Sequence, residues 1–258
     1  MISAVSTFFL LVIFSITTFL SAASAQKKPA RIAIVIDDIG YRYTDKQVLL
    51  LPGAITYSVL PHTPYGKKLA MKANANNKEV LLHIPMEAEN GKKLGPGALT
   101  STMNKAEIQA SLNKSLAEIP FAIGINNHMG SYLTQLAEPM YWTMGFLKQH
   151  HLLFLDSKTS PYSKASIIAR KLGVPVKGRH VFLDNQLTKD YINKQFQSLI
   201  KHAQSQRTAI AIAHPHPETI QALLRLIPTL QQKNIELVPL SVLYKIPTKD
   251  QTQLAISD

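Results

Sequence analysis

The sequence contains no cysteine, which excludes two features that a protein of this size could have used. Disulfide bonds are excluded, so the hydrophobic core must stabilise the fold without them. Thiolate metal sites are excluded as well, so any bound metal ion needs histidine and carboxylate ligands. A chain of 258 residues is long enough to bury a core of the required size.

Charged side chains are missing from the first 25 residues. An apolar run over 8–20, broken by one serine and two threonines, precedes Ala23-Ser24-Ala25, which has the small-x-small pattern of a signal-peptidase site. The run is short for a membrane span. We therefore predict a signal peptide over 1–25, a mature chain that begins at Gln26, and export to the periplasm or beyond. Because the first residues lack lysine and arginine, an uncleaved N-terminal anchor stays open as the alternative.

Acidic residues are scarce, 16 against 28 lysines and arginines, and the formal net charge is +12 at pH 7. This balance favours anionic partners such as nucleic acid, acidic lipid headgroups or cell-wall polymers. Export argues against nucleic acid, and the lysines are not interleaved with aromatic residues as they are in nucleic-acid platforms. We expect no nucleic-acid binding, and a generally cationic surface near an anionic envelope rather than a dedicated binding patch.

Segments with strand and helix character alternate along the rest of the chain. The first strand, 31–36, is almost entirely aliphatic, as in a parallel sheet that is buried on both faces. The segments 174–176 and 180–183 are predicted to form one interrupted strand. No repeat and no change of composition indicates a second domain, so we predict one α/β domain over 26–245 and a polar tail over 246–258.

Residues with useful chemistry follow directly after the predicted strands. They are Asp37 and Asp38 after the first strand, and then His62, His83, His128, Asp156, Asp184 and His214. Both βα-barrels and open α/β sheets build their sites at the carboxyl ends of strands. Each residue alone has an ordinary explanation, and Asp184 beside an asparagine is interpreted as a turn residue. Their common location nevertheless predicts one site.

Five segments carry a resemblance to a known family. They are Ile36-Asp-Asp-Ile-Gly40, Leu82-His-Ile-Pro-Met-Glu87, Gly124-Ile-Asn-Asn-His-Met-Gly-Ser131, Phe154-Leu-Asp-Ser157 and Ala213-His-Pro-His-Pro217. With these segments, the chain resembles a divergent polysaccharide deacetylase, a branch related to the NodB-type carbohydrate esterases. The resemblance implies a distorted (β/α) barrel of about seven parallel strands. It also implies a metal-dependent hydrolase that removes N-acetyl groups from a carbohydrate substrate, here a polysaccharide of the cell envelope.

The resemblance also assigns a metal centre. In such enzymes the first aspartate of the pair is the general base and the second binds the metal, which maps to Asp37 and Asp38. His83 fits the first of two metal-binding histidines, but Glu87 stands where the second would be. The third ligand to zinc, or to another divalent metal, is then either Glu87 or His128. Imidazole suits zinc better, so we expect His128.

The remaining roles come partly from the resemblance and partly from the residues themselves. His214 matches the general-acid histidine, and we expect Asp156 to orient it. Backbone N–H groups of Ser131 and the preceding glycine are expected to stabilise the oxyanion. Ser131, His62 and Asn127 are predicted to contact the substrate.

Two departures from the family pattern keep a second interpretation open. Glu87 replaces a ligand of the second motif, and the arginine–proline motif that orients the base in typical relatives is not evident. The second interpretation is a catalytically silent barrel that binds glycan or a cell-wall enzyme as a regulatory module. A two-metal phosphoesterase is disfavoured, because the chain lacks a suitable cluster of carboxylates.

Overall fold

The computed structural model describes residues 28–244. The segments predicted as a signal peptide, 1–25, and as a polar tail, 246–258, lie outside the described residues. Between 28 and 244, none of the helices combines the length and the apolar character that a membrane crossing needs.

Strands and helices alternate along the described chain. The strands are β1 (Ala30–Ile39), β2 (Thr56–Val59), β3 (Val80–Met86), β4 (Gly124–Met129), β5 (Leu153–Asp156), β6 (Val176–Gly178), β7 (Val181–Phe182), β8 (Thr208–Ala213) and β9 (Ile235–Leu237). The α-helices are α1 (Gly66–Ala75), α2 (Lys105–Glu118), α3 (Ala137–Gln149), α4 (Ala165–Leu172), α5 (Lys189–Gln206), α6 (Pro217–Leu226) and α7 (Leu240–Tyr244). Three 3₁₀ helices cover Tyr43–Leu50, Leu133–Gln135 and Ile227–Lys233.

The strands form one parallel sheet in the order β6-β5-β4-β3-β2-β1-β8-β7, and β9 pairs with the beginning of β1. β1 lies inside this order and pairs with β2, β8 and β9. Its residues 32–36 are buried, because one face contacts the helices and the other faces the interior. This double burial explains why the first strand is an unbroken aliphatic run.

The predicted interrupted strand joins the two edges of the sheet. Its first piece, β6, pairs with β5, and its second piece, β7, pairs with β8. The Arg179 N–H donates to the Asp156 carbonyl (3.0 Å), and the next N–H, that of His180, donates to the Ile210 carbonyl (2.9 Å). The chain therefore steps from one edge of the sheet to the other. The expected α/β fold, a distorted barrel of about seven parallel strands, is confirmed.

Side chains along β1 alternate between two hydrophobic clusters. Ile32 and Ile34 pack in the cluster shared with the helices, whereas Ala33 and Val35 belong to the cluster inside the barrel. Because the side-chain period of a strand is two, Asp37 continues the interior row. The first aspartate of the pair therefore points into the mouth of the barrel.

The segment after β9 fills the opposite end of the barrel. Leu240 and Leu243 are fully buried in the interior cluster, and the Leu240 N–H donates to Oγ1 of Thr56, the first residue of β2. The amino ends of the strands are thus covered by apolar side chains. The polar side chains that follow the strands lie at the carboxyl ends.

Candidate metal centre and active site

Three ligating atoms, from β1, β3 and β4, meet at the carboxyl ends of the strands. Oδ1 of Asp38 lies 2.7 Å from Nδ1 of His128 and 3.0 Å from Nε2 of His83, and the two ring nitrogens are 3.2 Å apart. In a tetrahedral zinc site with bonds of about 2.0–2.1 Å, ligand atoms are about 3.3 Å apart. The observed triangle is slightly smaller than this. The three side chains that we predicted as metal ligands could therefore hold one divalent ion.

The backbone of Asp38 explains how two adjacent aspartates reach the same site. Ordinary strand geometry would send Asp38 to the side opposite Asp37. Instead, Asp38 has φ +59°, and the pairing of β1 with β2 shifts its register between Ile36 and Ile39. The left-handed conformation costs a non-glycine residue about 1–2 kcal/mol. This local strain turns both carboxylates toward the mouth of the barrel.

Asn126, on the interior face of β4, lies between the metal ligands and Asp37. Its Oδ1 is 2.8 Å from Nδ1 of His83, and its Nδ2 is 2.9 Å from both carboxylate oxygens of Asp37. The buried Ser58 hydroxyl also donates to this Oδ1. With Nδ1 of His83 donating to an oxygen, Nε2 carries a lone pair toward the metal position.

Asp37 has the surroundings expected of a general base. Its side chain is 2 % exposed, and one carboxylate oxygen lies 3.7 Å from Nε2 of His83. Burial raises the pKa of Asp37, and the charges of His83 and His214 offset this only in part. A carboxylate whose pKa is raised is a better proton acceptor near neutral pH.

His214 approaches the cluster from β8, on the other side of β1. Its Nε2 lies 4.0 Å from Oδ2 of Asp38, and its Nδ1 lies 2.9 Å from Oδ1 of Asp184. Burial lowers the pKa of His214, but the hydrogen bond and charge of Asp184 outweigh this and raise it to about 9. The imidazolium form is therefore available at neutral pH as a general acid.

The prediction that Asp156 orients His214 is wrong, because its carboxylate faces the other way. Its oxygens accept hydrogen bonds from the Lys158 N–H (2.8 Å) and the Ser163 hydroxyl (2.9 Å). Asp184, which we interpreted as a turn residue, instead accepts from Nδ1 and from the backbone N–H of His214.

Thr219 fixes the second oxygen of Asp184 by donating its hydroxyl proton at 2.8 Å. Alternation along the chain could have identified Asp184, since it lies two residues after Phe182, which packs against the interior cluster.

Two residues predicted to contact the substrate have partners within the protein, and their substrate contacts stay predictions. Nδ1 of His62 lies 2.6 Å from Oε2 of Glu118, and its Nε2 lies 3.3 Å from Oγ of Ser115, both on α2. Asn127 is buried and braces two loops, since its amide donates to the Met129 carbonyl (2.7 Å) and accepts from the Ser157 N–H (2.9 Å). Neither side chain joins the metal cluster.

One of the two predicted oxyanion donors in the loop after β4, the backbone N–H of Gly130, is engaged within the protein, whereas the role of the Ser131 N–H stays a prediction. The Gly130 N–H donates to the Met86 carbonyl (3.0 Å), and Oγ of Ser131 accepts from the Glu89 N–H (3.1 Å). Gly130 is therefore not a free donor, and the Ser131 hydroxyl holds the neighbouring loop.

Glu87 does not complete the metal shell. Its Oε2 accepts a hydrogen bond from the Ser101 N–H at 2.5 Å, and its own N–H donates to the Leu99 carbonyl. Within 28–244, the side chains that meet as a candidate metal cluster include His128 and not Glu87. The structure thus favours the histidine alternative for the third ligand.

Arg179 is a further residue that the sequence did not single out. From the link between β6 and β7, its guanidinium donates to the carbonyls of Ser157 (2.8 Å) and Lys158 (3.1 Å). The same group lies 3.6 Å from the centroid of the Phe182 ring, which stacks on His214 with centroids 5.9 Å apart. Arg179 thereby joins the loop after β5 to the histidine side of the site.

Comparisons with known proteins show the family that the sequence resemblance indicated. A model of the divergent polysaccharide deacetylase family matches residues 34–244. The uncharacterized protein YibQ of Escherichia coli is 38% identical over 232 residues, which cover 90% of this chain and 72% of that protein. An uncharacterized protein from Agrobacterium tumefaciens, of known crystal structure, superposes with a TM-score of 0.80 at 26% identity, covering 85% of this chain and 91% of that chain.

A more distant neighbour shares the fold. The catalytic domain of peptidoglycan N-acetylglucosamine deacetylase from Eubacterium rectale superposes with a TM-score of 0.52 at 14% identity, covering 86% of this chain and 93% of that chain. The family match spans the barrel from β1 to α7, including the clustered aspartate and histidines and the Asp184–His214 pair. The chain therefore belongs to the divergent polysaccharide deacetylase family.

Proposed function

We propose that this protein is an exported, zinc-dependent hydrolase that removes N-acetyl groups from a polysaccharide of the cell envelope. Membership of the deacetylase family supports a deacetylase-type reaction on a carbohydrate. The observation that carries the proposal is the convergence of Asp38, His83 and His128 on one small triangle, beside a buried carboxylate and a paired imidazole.

The donor set suits zinc, which binds imidazole and carboxylate in catalytic sites and keeps one position open. The chemistry that zinc supplies in such a site is a water molecule of lowered pKa and a polarised substrate carbonyl. Asp38, His83 and His128 are the residues that would hold it. Asn126 keeps the ring of His83 in the required orientation.

The chain's own residues perform the proton transfers. Asp37 accepts a proton from the attacking water as that water adds to the acetyl carbonyl carbon. His214 then gives its Nε2 proton to the amide nitrogen while the C–N bond breaks, which releases acetate and leaves a free amine on the sugar. Asp184 stabilises the imidazolium and aims it at the leaving nitrogen.

Export and an envelope substrate complete the proposal. The apolar segment at 8–20 followed by Ala23-Ser24-Ala25 supports export. N-acetylated glycan is the substrate class that the name of the Eubacterium rectale neighbour gives for that protein. We extend this class to the present chain.

An uneven distribution of charge supports association with an anionic surface. Residues 41–78 contain six lysines and arginines and one acidic residue, hence +5 of the total of +12. The acidic residue, Asp45, is buried and paired with Arg42 (3.1 Å). Exposed apolar side chains in the same stretch include Leu50 and Met71, which are 72% and 54% exposed. Lysines beside exposed apolar groups are typical of surfaces that bind acidic lipid.

Three of these lysines act on an exposed tyrosine, and we call the group Tyr43, Lys46, Lys68 and Lys72 the basic face. Nζ of Lys46 lies 3.9 Å from the ring centroid of Tyr43. Lys46 first, and then Lys68 and Lys72, lower the pKa of the Tyr43 hydroxyl. Lys68 and Lys72 are one turn apart on α1, so they present their charges together.

The test is a metal and product analysis of the purified mature chain. We expect one zinc per molecule after loading, and acetate release from N-acetylated chito-oligosaccharides or peptidoglycan fragments. Chelator treatment should stop the release, and added zinc should restore it. Tight glycan binding without acetate release would instead support the silent-barrel alternative.

A further inference from the structure

Asn126 uses both ends of its amide within the site. The oxygen accepts from Nδ1 of the metal ligand His83, and the nitrogen donates to both oxygens of the general base Asp37. The side chain is fully buried on the interior face of β4, so water does not compete for these contacts. One buried amide therefore contacts both His83, a proposed metal ligand, and Asp37, the proposed general base.

Hydrogen-bonding chemistry fixes the orientation of this amide. The reversed amide would place its oxygen against the carboxylate of Asp37, where neither group has a proton to donate. It would also place the NH₂ group against Nδ1 of His83, which would then carry a lone pair. The ring proton would move to Nε2, the atom that faces Asp38 and His128. A protonated Nε2 cannot bind a metal ion.

The Ser58 hydroxyl reinforces the observed orientation. It is fully buried and donates to the same amide oxygen of Asn126. The oxygen thus accepts two hydrogen bonds, and the NH₂ group is left for Asp37. The amide therefore holds His83 and Asp37 in one fixed relation to each other.

We propose that Asn126 is a positioning residue that couples the general base to the metal centre. It holds His83 in the metal-binding tautomer and aims Asp37 at the attacking water. This inference rests on the proposed function, because positioning has meaning only where metal binding and hydrolysis occur.

Two substitutions separate the two halves of this role. Asn126→Asp keeps an oxygen for Nδ1 of His83 but removes the NH₂ group that holds Asp37. We expect its zinc affinity to stay within about threefold of wild type and its kcat for acetate release to fall about 100-fold with little change in KM. Asn126→Ala removes both contacts, so zinc affinity should also fall about 10- to 100-fold, as for other groups that orient metal ligands.

Zinc affinity is measured by competition with a chromophoric chelator, and kcat and KM by acetate release from a chito-oligosaccharide. Circular dichroism establishes that each variant is folded. The matched control is Asn104→Asp, which makes the same change of one atom and one charge at the exposed N-cap of α2. Aspartate caps a helix as well as asparagine, so both readouts should match wild type.

The inference is overturned if Asn126→Asp loses zinc as strongly as Asn126→Ala does, because Asn126 would then be only a structural support. It is also overturned if both variants keep zinc affinity and kcat within twofold of wild type. Failure of the proposed function is seen separately, in a wild-type protein that neither binds zinc nor releases acetate. In that case the inference falls with it.

Discussion

His62 comes shortly after β2, and His83 lies within the neighbouring strand β3, but their imidazole rings have different partners. The ring of His83 is inside the barrel mouth, where its nitrogens contact Asn126 and Asp38. The ring of His62 contacts Glu118 and other groups on α2. A position near the carboxyl end of a strand therefore brings a residue to the rim of the barrel. The direction of its side chain then decides whether it reaches the site.

Asp156, the last residue of β5, and Asp184, two residues after β7, repeat this comparison. Along β5, Leu155 belongs to the interior cluster, so the next residue, Asp156, faces outward and binds the turn at Ser163. Along β7, Phe182 packs on the interior cluster, so Asp184 faces inward and holds His214. The alternation of side chains therefore explains why Asp156 binds a turn whereas Asp184 holds His214.

The largest effect should come from replacing His83 with alanine, and His62→Ala serves as the comparison. His83→Ala removes a metal ligand, so zinc affinity should fall by more than about 100-fold, beyond the 10- to 100-fold of outer-shell changes. Acetate release should fall to background. His62→Ala removes a contact to α2 and should keep stoichiometric zinc. Metal analysis of the two purified variants checks this, and equal zinc content in both would contradict the assignment.

The second largest effect is expected within the aspartate pair. Asp37→Asn removes the proton acceptor but no ligand, so acetate release should fall about 100- to 10,000-fold with zinc retained. Asp38→Asn should lose zinc and activity together. Zinc titration followed by single-substrate kinetics distinguishes the two, and loss of zinc in Asp37→Asn would show that this carboxylate is a ligand.

A smaller effect, in pH dependence, should separate Asp184 from Asp156. His214 donates its proton only below its pKa, which Asp184 raises to about 9, so wild-type activity should decline as the pH rises through that value. Asp184→Asn removes the carboxylate that raises this pKa, and the alkaline limb should move down by about one pH unit or more.

Asp156→Asn serves as the comparison for this pH measurement. Its side chain binds the 158–163 turn, so the substitution should lower the unfolding temperature. The decline of kcat/KM at high pH should occur at the same pH as in wild type. Profiles of kcat/KM between pH 6 and pH 10 provide the test, and coincident alkaline limbs in wild type and Asp184→Asn would refute the pairing.

The smallest effect on catalysis is expected from residues wholly outside the barrel. Reversing two charges of the basic face, in Lys68→Glu with Lys72→Glu, should weaken binding to vesicles containing anionic phospholipid by about tenfold or more, since each lysine near such a surface contributes about 1 kcal/mol. Turnover of a soluble oligosaccharide should not change. Lys105→Glu with Lys114→Glu on α2 is the matched control, and equal loss of vesicle binding in both pairs would contradict a localised surface.

Much of this architecture could be predicted because it depends on local patterns. The aliphatic run of β1 and the alternation of strands and helices led to a parallel α/β sheet, and the family resemblance led to the barrel. The positions after the predicted strands led to Asp37, Asp38, His83, His128 and His214. Those residues are brought together by parallel strands that all end at one rim, so their distance along the chain does not matter.

The residues that were missed or misassigned depend on orientation and on long-range pairing. Whether Asp156 or Asp184 holds His214 follows from strand parity at short, irregular strands, whose limits the sequence does not mark. Asn126 looks like one of two equivalent asparagines until β4 places it inward and its neighbour outward. Similarly, the two halves of the interrupted strand reveal their opposite partners only in three dimensions.

The left-handed backbone conformation of Asp38 lowers the stability of the fold at a position whose side chain belongs to the proposed metal centre. A glycine there would adopt φ +59° without the steric penalty of a β-carbon, and it would relieve about 1 kcal/mol of strain in the folded chain. The same replacement would delete one corner of the triangle, together with the contacts that this carboxylate makes to His83 and His128. A relative with glycine at this position would therefore have an unstrained backbone here and would lack one ligand of the proposed metal centre.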